Sequence, residues 1–276
     1  MKNMRVEHYR SLQEITPGIL LDKVKAASPL IHHLTNWVTI YDCAQAVKSI
    51  GASPVMAHAI EEVEDMAAIS SSLVLNIGTL TVDFVEAMKR AATAANKRKI
   101  PVILDVCGSG ATSLRDQKCK ELLIETRIDV IKGNYSEIAR TCGENVKTKG
   151  VDSSGIAMDI KRLASGLAIA KKCVVVATGR EDIVTNGKMT YFVSNGDKLM
   201  ASLVGTGCMA ASVIGAFAAV EEDLVKAAVS GLVCFGVAGE LAAKKSNGPG
   251  SFKVHLFDSL YNLKNVTISR MQRIKC

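Results

Sequence analysis

The stretch from Gly205 to Cys208 reads Gly-Thr-Gly-Cys and opens an apolar run, rich in Ala, Val and Ile, that ends at Val220. Gly205 and Gly207 permit tight backbone angles, and the small apolar residues after Cys208 favour a helix buried on every face. The first amides of a helix lack partners within it and lie at the positive end of its dipole. The stretch therefore predicts an anion site, for which phosphate is the commonest ligand. A glycine turn leading into a core helix is the alternative.

Polar or small residues also follow several predicted apolar strands. In an open parallel sheet, ligands collect at the carboxyl ends of the strands, so we expect these residues to share one binding edge. Taken singly, each is also a common turn former. The residues at these positions are Met56, Asn76, Asp105, Lys132, Asn134, Thr178 and Gly179.

Two acidic residues are candidates for a metal site. Asp105 directly follows the apolar residues Pro101–Leu104, so it either caps the next turn or holds a cation such as Mg²⁺, usually through water. Glu137 comes three residues after Asn134, which is the spacing of a capping box at a helix start. Its alternative role is that of a second carboxylate near the metal and the phosphates.

Lys132 and Cys208 are the candidates for contact with a transferred group. Lys132 follows directly on an apolar strand, which suggests a phosphate contact, and a strand end at the surface is the alternative. Cys208 lies where a helix dipole favours its thiolate. It either acts near the transferred group or is a small residue that fits against the loop.

The elements that position these residues alternate between apolar strands and helices, which predicts an α/β fold with a parallel sheet covered on both faces. A (β/α)8 barrel is the competing architecture. It is disfavoured by the hairpin pattern of 183–193, centred on Asn186-Gly187, and by two consecutive helices over 208–220 and 224–244. We predict a single domain over 1–276, with 1–28 as a lead-in. The remaining elements predicted are helices over 17–27, 42–50, 61–70, 81–97 and 161–171, strands over 29–36, 53–56, 72–77, 101–105, 128–132 and 173–177, and a strand and helix after the Gly248-Pro249-Gly250 turn.

The composition is 48% hydrophobic but only 4% aromatic, and the net charge is +7. Basic clusters such as 97–99 are short and lack interleaved aromatic residues, so we expect no nucleic-acid partner, although anionic substrates suit the charge. None of the eight cysteines forms a C-x-x-C pair, which predicts reduced thiols in a cytoplasmic protein. The charged residues among 1–14 predict no secretory signal there, and the sequence has no uninterrupted apolar run that would span a bilayer.

Of two familiar nucleotide-binding signatures, one is absent and the other matches only in sequence. No G-x-x-x-x-G-K-[ST] sequence occurs. Residues 205–210 match G-x-G-x-x-A, but a turn at 195–198 precedes them instead of a buried strand. A dinucleotide-dependent oxidoreductase is thus a weaker alternative.

Taken together, these residues resemble the hydroxyethylthiazole kinase family of the ribokinase-like superfamily, which has a three-layer sandwich fold. The resemblance covers about 29–263. Its motifs are Thr35-Asn36 with Asp42-Cys43-Ala44, residues 51–57, Asn76-Ile77-Gly78-Thr79, Gly133-Asn134 with Ser136-Glu137, Thr178-Gly179, residues 205–209, the Gly248-Pro249-Gly250 turn and residues 260–263.

The resemblance implies transfer of the ATP γ-phosphoryl group to the primary alcohol of 4-methyl-5-(2-hydroxyethyl)thiazole with Mg²⁺, in thiamine salvage. It also implies a homotrimer with sites between subunits. The implied roles are substrate binding for Met56, Gly205 and Asn36, ATP binding for Lys132, Thr178 and Asn134, metal binding for Asp105 and Glu137, and catalysis for Cys208 with Gly207.

The chain departs from the family pattern at several of these positions. The family usually has Asp-Pro-Val-Gly-Ala-Gly-Ala-Thr at 105–112, where this chain keeps the aspartate and glycines but not the proline. Lys132 replaces the usual arginine and gives up its bidentate geometry. Related kinases carry an aspartate base at the position of Cys208. The alternatives are a superfamily kinase or dehydratase with another substrate, and a ligand-binding protein without turnover.

Overall fold

The computed structural model describes residues 15–144 and 160–276. The strands in this part are β1 (Leu30–Leu34), β2 (Ser53–Val55), β3 (Ser72–Asn76), β4 (Val102–Asp105), β5 (Val130–Asn134), β6 (Val174–Thr178), β7 (Asp182–Thr185), β8 (Thr190–Val193) and β9 (Ile274–Lys275). They form one sheet in the order β2-β1-β3-β4-β5-β6-β7-β8-β9. Pairing is parallel from β2 to β6 and antiparallel from β6 to β9.

Helices cover both faces of this sheet. In chain order they are α1 (Pro17–Ala27), α2 (Ile40–Ser49), α3 (Val63–Ile69), α4 (Val82–Arg98), α5 (Ser113–Glu125), α6 (Tyr135–Thr141), α7 (Ile160–Lys171), α8 (Thr206–Ala218), α9 (Leu224–Ala243), α10 (Pro249–Tyr261) and α11 (Asn265–Met271). A short 3₁₀ helix, Lys198–Ser202, precedes α8.

Two apolar cores lie on opposite faces of the sheet, because successive strand residues point to opposite sides. Along β3, Val74 belongs to a core shared with α1, α2, α8, α9 and α10. Its neighbours Leu73 and Leu75 belong to a second core with α3, α4, α5 and α7. This arrangement confirms the predicted three-layer α/β fold. The open sheet, with β2 and β9 at its edges, excludes the barrel.

Helices α8 and α9 form the centre of the first core. Cys208 to Ala218 are all buried, as the small apolar sequence predicts. By length and composition α9 would reach across a membrane, yet most of it is enclosed within the protein, as is typical of a core helix. Its uninterrupted apolar part is shorter, since Lys226 and Glu240 lie near its ends.

The predicted parallel strands and the hairpin of β7 and β8 are confirmed, with shifts of one or two residues at their ends. The strand expected after the Gly248-Pro249-Gly250 turn is wrong, because this region is helix α10. Pro249 lies in the first turn of α10, where a missing amide costs nothing. Phe252, Leu256 and Leu260 then recur at helical spacing and are buried.

The lead-in predicted for 1–28 is described only from residue 15 onward, and residues 1–14 lie outside the described part. Helix α1 has the predicted bounds, 17–27. The assignment of 1–276 to a single domain stays a prediction.

A close contact between α8 and β3 predicts the effect of Gly215→Ala. A Cβ at Gly215 would lie 2.5 Å from Cγ2 of Val74, so the added methyl overpacks the core. We expect the free energy of unfolding, measured with urea, to fall by about 1–2 kcal/mol despite the better helix propensity of alanine. The control is Gly166→Ala at an exposed position of α7, where nothing lies near the new Cβ and unchanged or higher stability is expected. A Gly215→Ala protein as stable as wild type would contradict the close packing.

Candidate active site

The point where the strand order reverses lies between β1 and β3. From β1 the chain crosses to β2 on one side, and then returns to β3 on the other. Such a reversal opens a crevice at the carboxyl ends of the strands. Asn36 follows β1 and Asn76 ends β3, and the Asn36 Nδ2 atom donates to Asn76 Oδ1 at 3.1 Å. Two hydrogen-bonded amide side chains, Asn36 and Asn76, therefore lie at the strand ends where this crevice opens.

The predicted anion loop lies beside this crevice. Gly205 has φ +89° and is the N-cap of α8. A Cβ there would lie 2.2 Å from Cγ2 of Thr39, so glycine is required for both its conformation and its space. The amides of Thr206, Gly207 and Cys208 open the helix and are directed away from its body. Together with the helix dipole they favour a bound anion.

Lys132 reaches this same loop from β5. A Cβ at Gly207 would lie 3.0 Å from Lys132 Nζ, so the ammonium lies directly against the first turn of α8. Lys132 is buried and its Nζ lies 3.5 Å from Asp105 Oδ1. Burial works against its charge, but the carboxylates of Asp105 and Glu137 outweigh burial and raise the pKa of the ammonium. The site thus holds a fixed positive charge, and the alternative of a strand end at the surface is wrong.

Asp105 is fully buried at the end of β4. Its Oδ2 accepts a hydrogen bond from Asn76 Nδ2 at 2.8 Å, which links it through Asn76 to Asn36. Burial raises the pKa of Asp105, against the opposing attraction of Lys132. A continuous polar chain therefore runs along the strand ends from Asn36 to Lys132.

Cys208 is the next member of this arrangement. Its Sγ accepts a hydrogen bond from Asn36 Nδ2 at 3.2 Å. A hydrogen bond from the Cys107 thiol and the charge of Lys132 lower the pKa of Cys208 to about 5, against the effect of burial. The bond to Cys208 and burial in turn raise the pKa of Cys107. The bond from Cys107 and the charge of Lys132 both favour the thiolate form of Cys208.

Asn134 and Glu137 form the predicted capping box at the start of α6. The Glu137 amide donates to Asn134 Oδ1 at 2.9 Å, and the Asn134 amide donates to Glu137 Oε2 at 2.7 Å. The Gly108 amide also donates to Glu137 Oε1 at 2.8 Å. Two backbone amides thus fix the Glu137 carboxylate, and each of its oxygens keeps a second lone pair for a further ligand.

Thr178 and Met56 lie on either side of the central residues. Thr178 ends β6 opposite Asn134, and its hydroxyl donates to the carbonyl of Gly133 at 3.3 Å. Met56 follows β2, is half-buried and packs against the core that contains Cys208. The ring of His32 holds the adjoining segment through a 2.7 Å bond between Nε2 and the carbonyl oxygen of Ala57. Their contacts with ligands remain predictions.

Sequence reasoning missed two residues that organise the site. The amide and hydroxyl of Thr39 both donate to Asn36 Oδ1 at 3.1 Å, which fixes the Asn36 amide with its nitrogen toward Cys208. Cys107 contacts Cys208 from the loop after β4. A threonine before a helix indicates only a cap, and Cys107 meets Cys208 only through the fold, so neither role has a clear sequence signal.

The carboxylates suit a magnesium ion bound together with phosphates. Mg²⁺ in such sites takes one or two carboxylates and completes its shell with water and phosphate oxygens. Asp105 and Glu137 supply two carboxylates close enough to affect each other's charge. Within 15–144 and 160–276 there is no group of three or more acidic, histidine or cysteine side chains that would hold a metal without such ligands.

The structure around residues 205–210 does not match that of a dinucleotide-binding fingerprint. The loop follows the 3₁₀ helix Lys198–Ser202, whereas a dinucleotide fingerprint follows a buried strand.

The loop and the site lie at the carboxyl ends of the strands of an open sheet that has helices on both faces. This fold occurs in pyridoxal kinase from Staphylococcus aureus in complex with ADP, with a TM-score of 0.59 at 12% identity, covering 77% of this chain and 88% of that chain. The fold class is therefore the three-layer α/β sandwich that this kinase shares.

More specific similarity lies within this class. The model of the hydroxyethylthiazole kinase family matches residues 21–266. The hydroxyethylthiazole kinase of Methanosarcina acetivorans is 54% identical over 255 residues, which are 92% of this chain and 98% of that protein. The structure of a hydroxyethylthiazole kinase from Pyrococcus horikoshii OT3 has a TM-score of 0.86 at 37% identity and covers 94% of this chain and 98% of that one. The chain belongs to the hydroxyethylthiazole kinase family.

The low pKa of Cys208 predicts an unusual pattern of alkylation. Iodoacetamide attacks the thiolate, so we expect the rate at Cys208 to be half-maximal near pH 5 and constant above about pH 6. Buried Cys43, whose pKa burial raises to about 11, is the internal control and is expected to stay unmodified at pH 7. Peptide mass spectrometry after timed labelling measures both rates. A Cys208 rate that still rises tenfold between pH 7 and pH 8 would contradict the thiolate.

Proposed function

We propose that this kinase transfers the γ-phosphoryl group of ATP to the hydroxyl of 4-methyl-5-(2-hydroxyethyl)thiazole, with Mg²⁺, in thiamine salvage. Family membership and 43–54% identity to proteins named hydroxyethylthiazole kinase support the reaction. The observation that carries the proposal is the convergence of the α8 amides, the Lys132 ammonium and the Cys208 thiolate at one point. Phosphoryl transfer requires little beyond such alignment and neutralisation of charge.

Gly205 to Cys208 would hold the phosphoryl group. Their backbone amides are fixed before the ligand arrives, so they can stabilise developing negative charge without reorganisation. Lys132 adds a positive charge beside Gly207. Thr178 and Asn134, which pair across β5 and β6, would bind ATP at the adjoining edge.

Asp105 and Glu137 would hold the magnesium ion. When bound, Mg²⁺ supplies positive charge that neutralises the phosphates. Asp105 also anchors Lys132 on one side and Asn76 on the other, at 3.5 and 2.8 Å. The carboxylate therefore keeps the ammonium directed toward the anion loop.

Cys208 would accept the proton of the substrate hydroxyl. In this step the alcohol oxygen bonds to the γ-phosphorus, the bond from that phosphorus to the bridging oxygen breaks, and ADP leaves with the electron pair. The proton passes to Cys208 Sγ, which Asn36 holds in place. A thiolate with a pKa of about 5 is in its basic form at neutral pH but is a weak base, so alignment of the hydroxyl is its larger contribution.

Met56 and Asn36 would line the acceptor side. Met56 offers a flexible apolar wall for a heteroaromatic ring. The polar atoms of buried Asn36 already bond to Thr39, Asn76 and Cys208, so its main task is to orient the thiolate.

Turnover of the thiazole alcohol tests this function. We expect ADP release with hydroxyethylthiazole, ATP and Mg²⁺ to exceed that with hydroxymethylpyrimidine or pyridoxal. Cys208→Ala should lower kcat by about 10²–10⁴-fold with a smaller effect on KM for the thiazole. Cys142→Ala, outside the site, is the control. Tight thiazole binding without turnover would instead favour a ligand-binding protein, and an unchanged kcat would reduce Cys208 to a packing residue.

The homotrimer implied by the family is part of this proposal, together with a cytoplasmic location. Apolar side chains next to the site are exposed, among them Val38 at 66%, Tyr41 at 69% and Val204 at 70%. Val38 and Tyr41 follow Asn36, and Val204 precedes the anion loop. A second copy of the chain on this surface would complete the site. A reducing compartment suits the buried thiols of Cys43, Cys119, Cys173, Cys208 and Cys234.

A charged substitution in this surface tests the assembly. Light scattering should give wild type the mass of three chains of 29.4 kDa. Tyr41→Glu places a charge within the apolar contact, so it should lower this mass and raise KM for the thiazole. Ile124→Glu, at an exposed position of α5, is the control and should leave both unchanged. A monomeric wild type with full activity would contradict the trimer.

A further inference from the structure

Arg115 occupies an unfavourable place in its own helix. Thr112 is the N-cap of α5 and its hydroxyl accepts from the Arg115 amide at 3.3 Å, so Arg115 lies in the first turn. A positive charge there opposes the helix dipole. Contacts outside α5 must therefore offset the unfavourable interaction of Arg115 with the dipole of its own helix.

The Arg115 guanidinium group makes such contacts by donating hydrogen bonds to three backbone carbonyls outside α5. Nη1 donates to the carbonyl of Ile77 at 2.8 Å and, more weakly, to that of Cys107 at 3.4 Å. Nη2 donates to the carbonyl of Gly78 at 2.8 Å. Ile77 and Gly78 follow β3, whereas Cys107 follows β4. One planar fork thus joins the two loops that leave neighbouring strands.

Both loops are hydrogen-bonded to residues that form or hold the proposed metal site. The Gly78 amide donates to Asn76 Oδ1 at 2.8 Å, and Asn76 in turn bonds to Asp105. On the other loop, the Gly108 amide donates to Glu137 Oε1. Arg115 is therefore connected through short chains of hydrogen bonds to both carboxylates.

The fork fits closely against the second loop. Gly108 has φ +78°, and a Cβ at this position would lie 2.8 Å from Arg115 Nη1. The glycine allows the backbone to approach the guanidinium, and the contact holds the Gly108 amide near Glu137. Without Arg115, both loops would lose their common anchor.

We propose that Arg115 is a positioning residue for phosphoryl transfer, which joins the loops after β3 and β4 and so holds Asp105 and Glu137 at the separation that binds Mg²⁺ with the nucleotide. The inference rests on the proposed function for the identity of the ligand. A residue that orients metal ligands in this way typically changes metal affinity by 10–100-fold when it is removed.

Calorimetric titration with AMP-PNP, with MgCl₂ or with EDTA, tests the role of Arg115. In Arg115→Ala the gain in AMP-PNP affinity that Mg²⁺ gives should fall by about 10–100-fold, while binding in EDTA changes little. Arg115→Lys keeps the charge but not the fork, so it should show a similar loss. Arg127→Ala, which removes an exposed ion pair with Asp129, is the control. A merely structural role would lower stability but leave the Mg²⁺-dependent gain intact.

Two outcomes would overturn the proposal. One is a wild-type gain from Mg²⁺ in Arg115→Ala, and the other is full recovery in Arg115→Lys. If Arg115→Ala does not fold, Gly108→Ala disturbs the same contact from the opposite side and should reduce the same gain. Failure of the wild type to phosphorylate the thiazole would reject the proposed function, whereas the nucleotide titrations still decide the role of Arg115.

Discussion

Placing the Lys132 ammonium inside the protein is the constraint on which the rest of the site depends. A buried charge is costly unless it is paired and hydrogen-bonded. Asp105 supplies the pairing, and Asn76 holds Asp105. The same chain continues to Asn36 and the Cys208 thiolate. The hydrogen bonds that pair the Lys132 ammonium thus also fix Asp105, Asn76, Asn36 and Cys208. The residues needed for charge stabilisation are therefore ordered before any ligand binds.

The layers of the fold were predictable because several parallel strands contain continuous apolar runs, such as 102–104 in β4, and because Asn186-Gly187 marks the hairpin. Helix α10 was not, since proline and glycine suit a turn as well as a helix start. What decides between them is the burial of Phe252, Leu256 and Leu260 against other helices, a property of the assembled core.

The site, too, has features that the sequence predicts and features that only the assembled fold shows. The Gly205 loop, Lys132 and the capping box could be predicted because the chemistry lies in adjacent residues. The bond between Asn36 and Asn76 could not, because these residues lie 40 positions apart and meet only where β1 and β3 become neighbours. The substitution of lysine for the usual arginine at 132 also acquires a context, since a compact ammonium fits between Asp105 and Gly207.

The contact between Thr39 and Gly205 has a consequence for the evolution of substrate preference. Thr39 touches the anion loop at Gly205 with its methyl group and the Asn36 amide with its hydroxyl. A change of acceptor that reshapes residues 35–41 therefore also shifts the loop at 205–208. Grafting a foreign 35–41 segment into this enzyme would therefore require exchange of the 205–208 loop as well, because the two segments are packed as one structural unit.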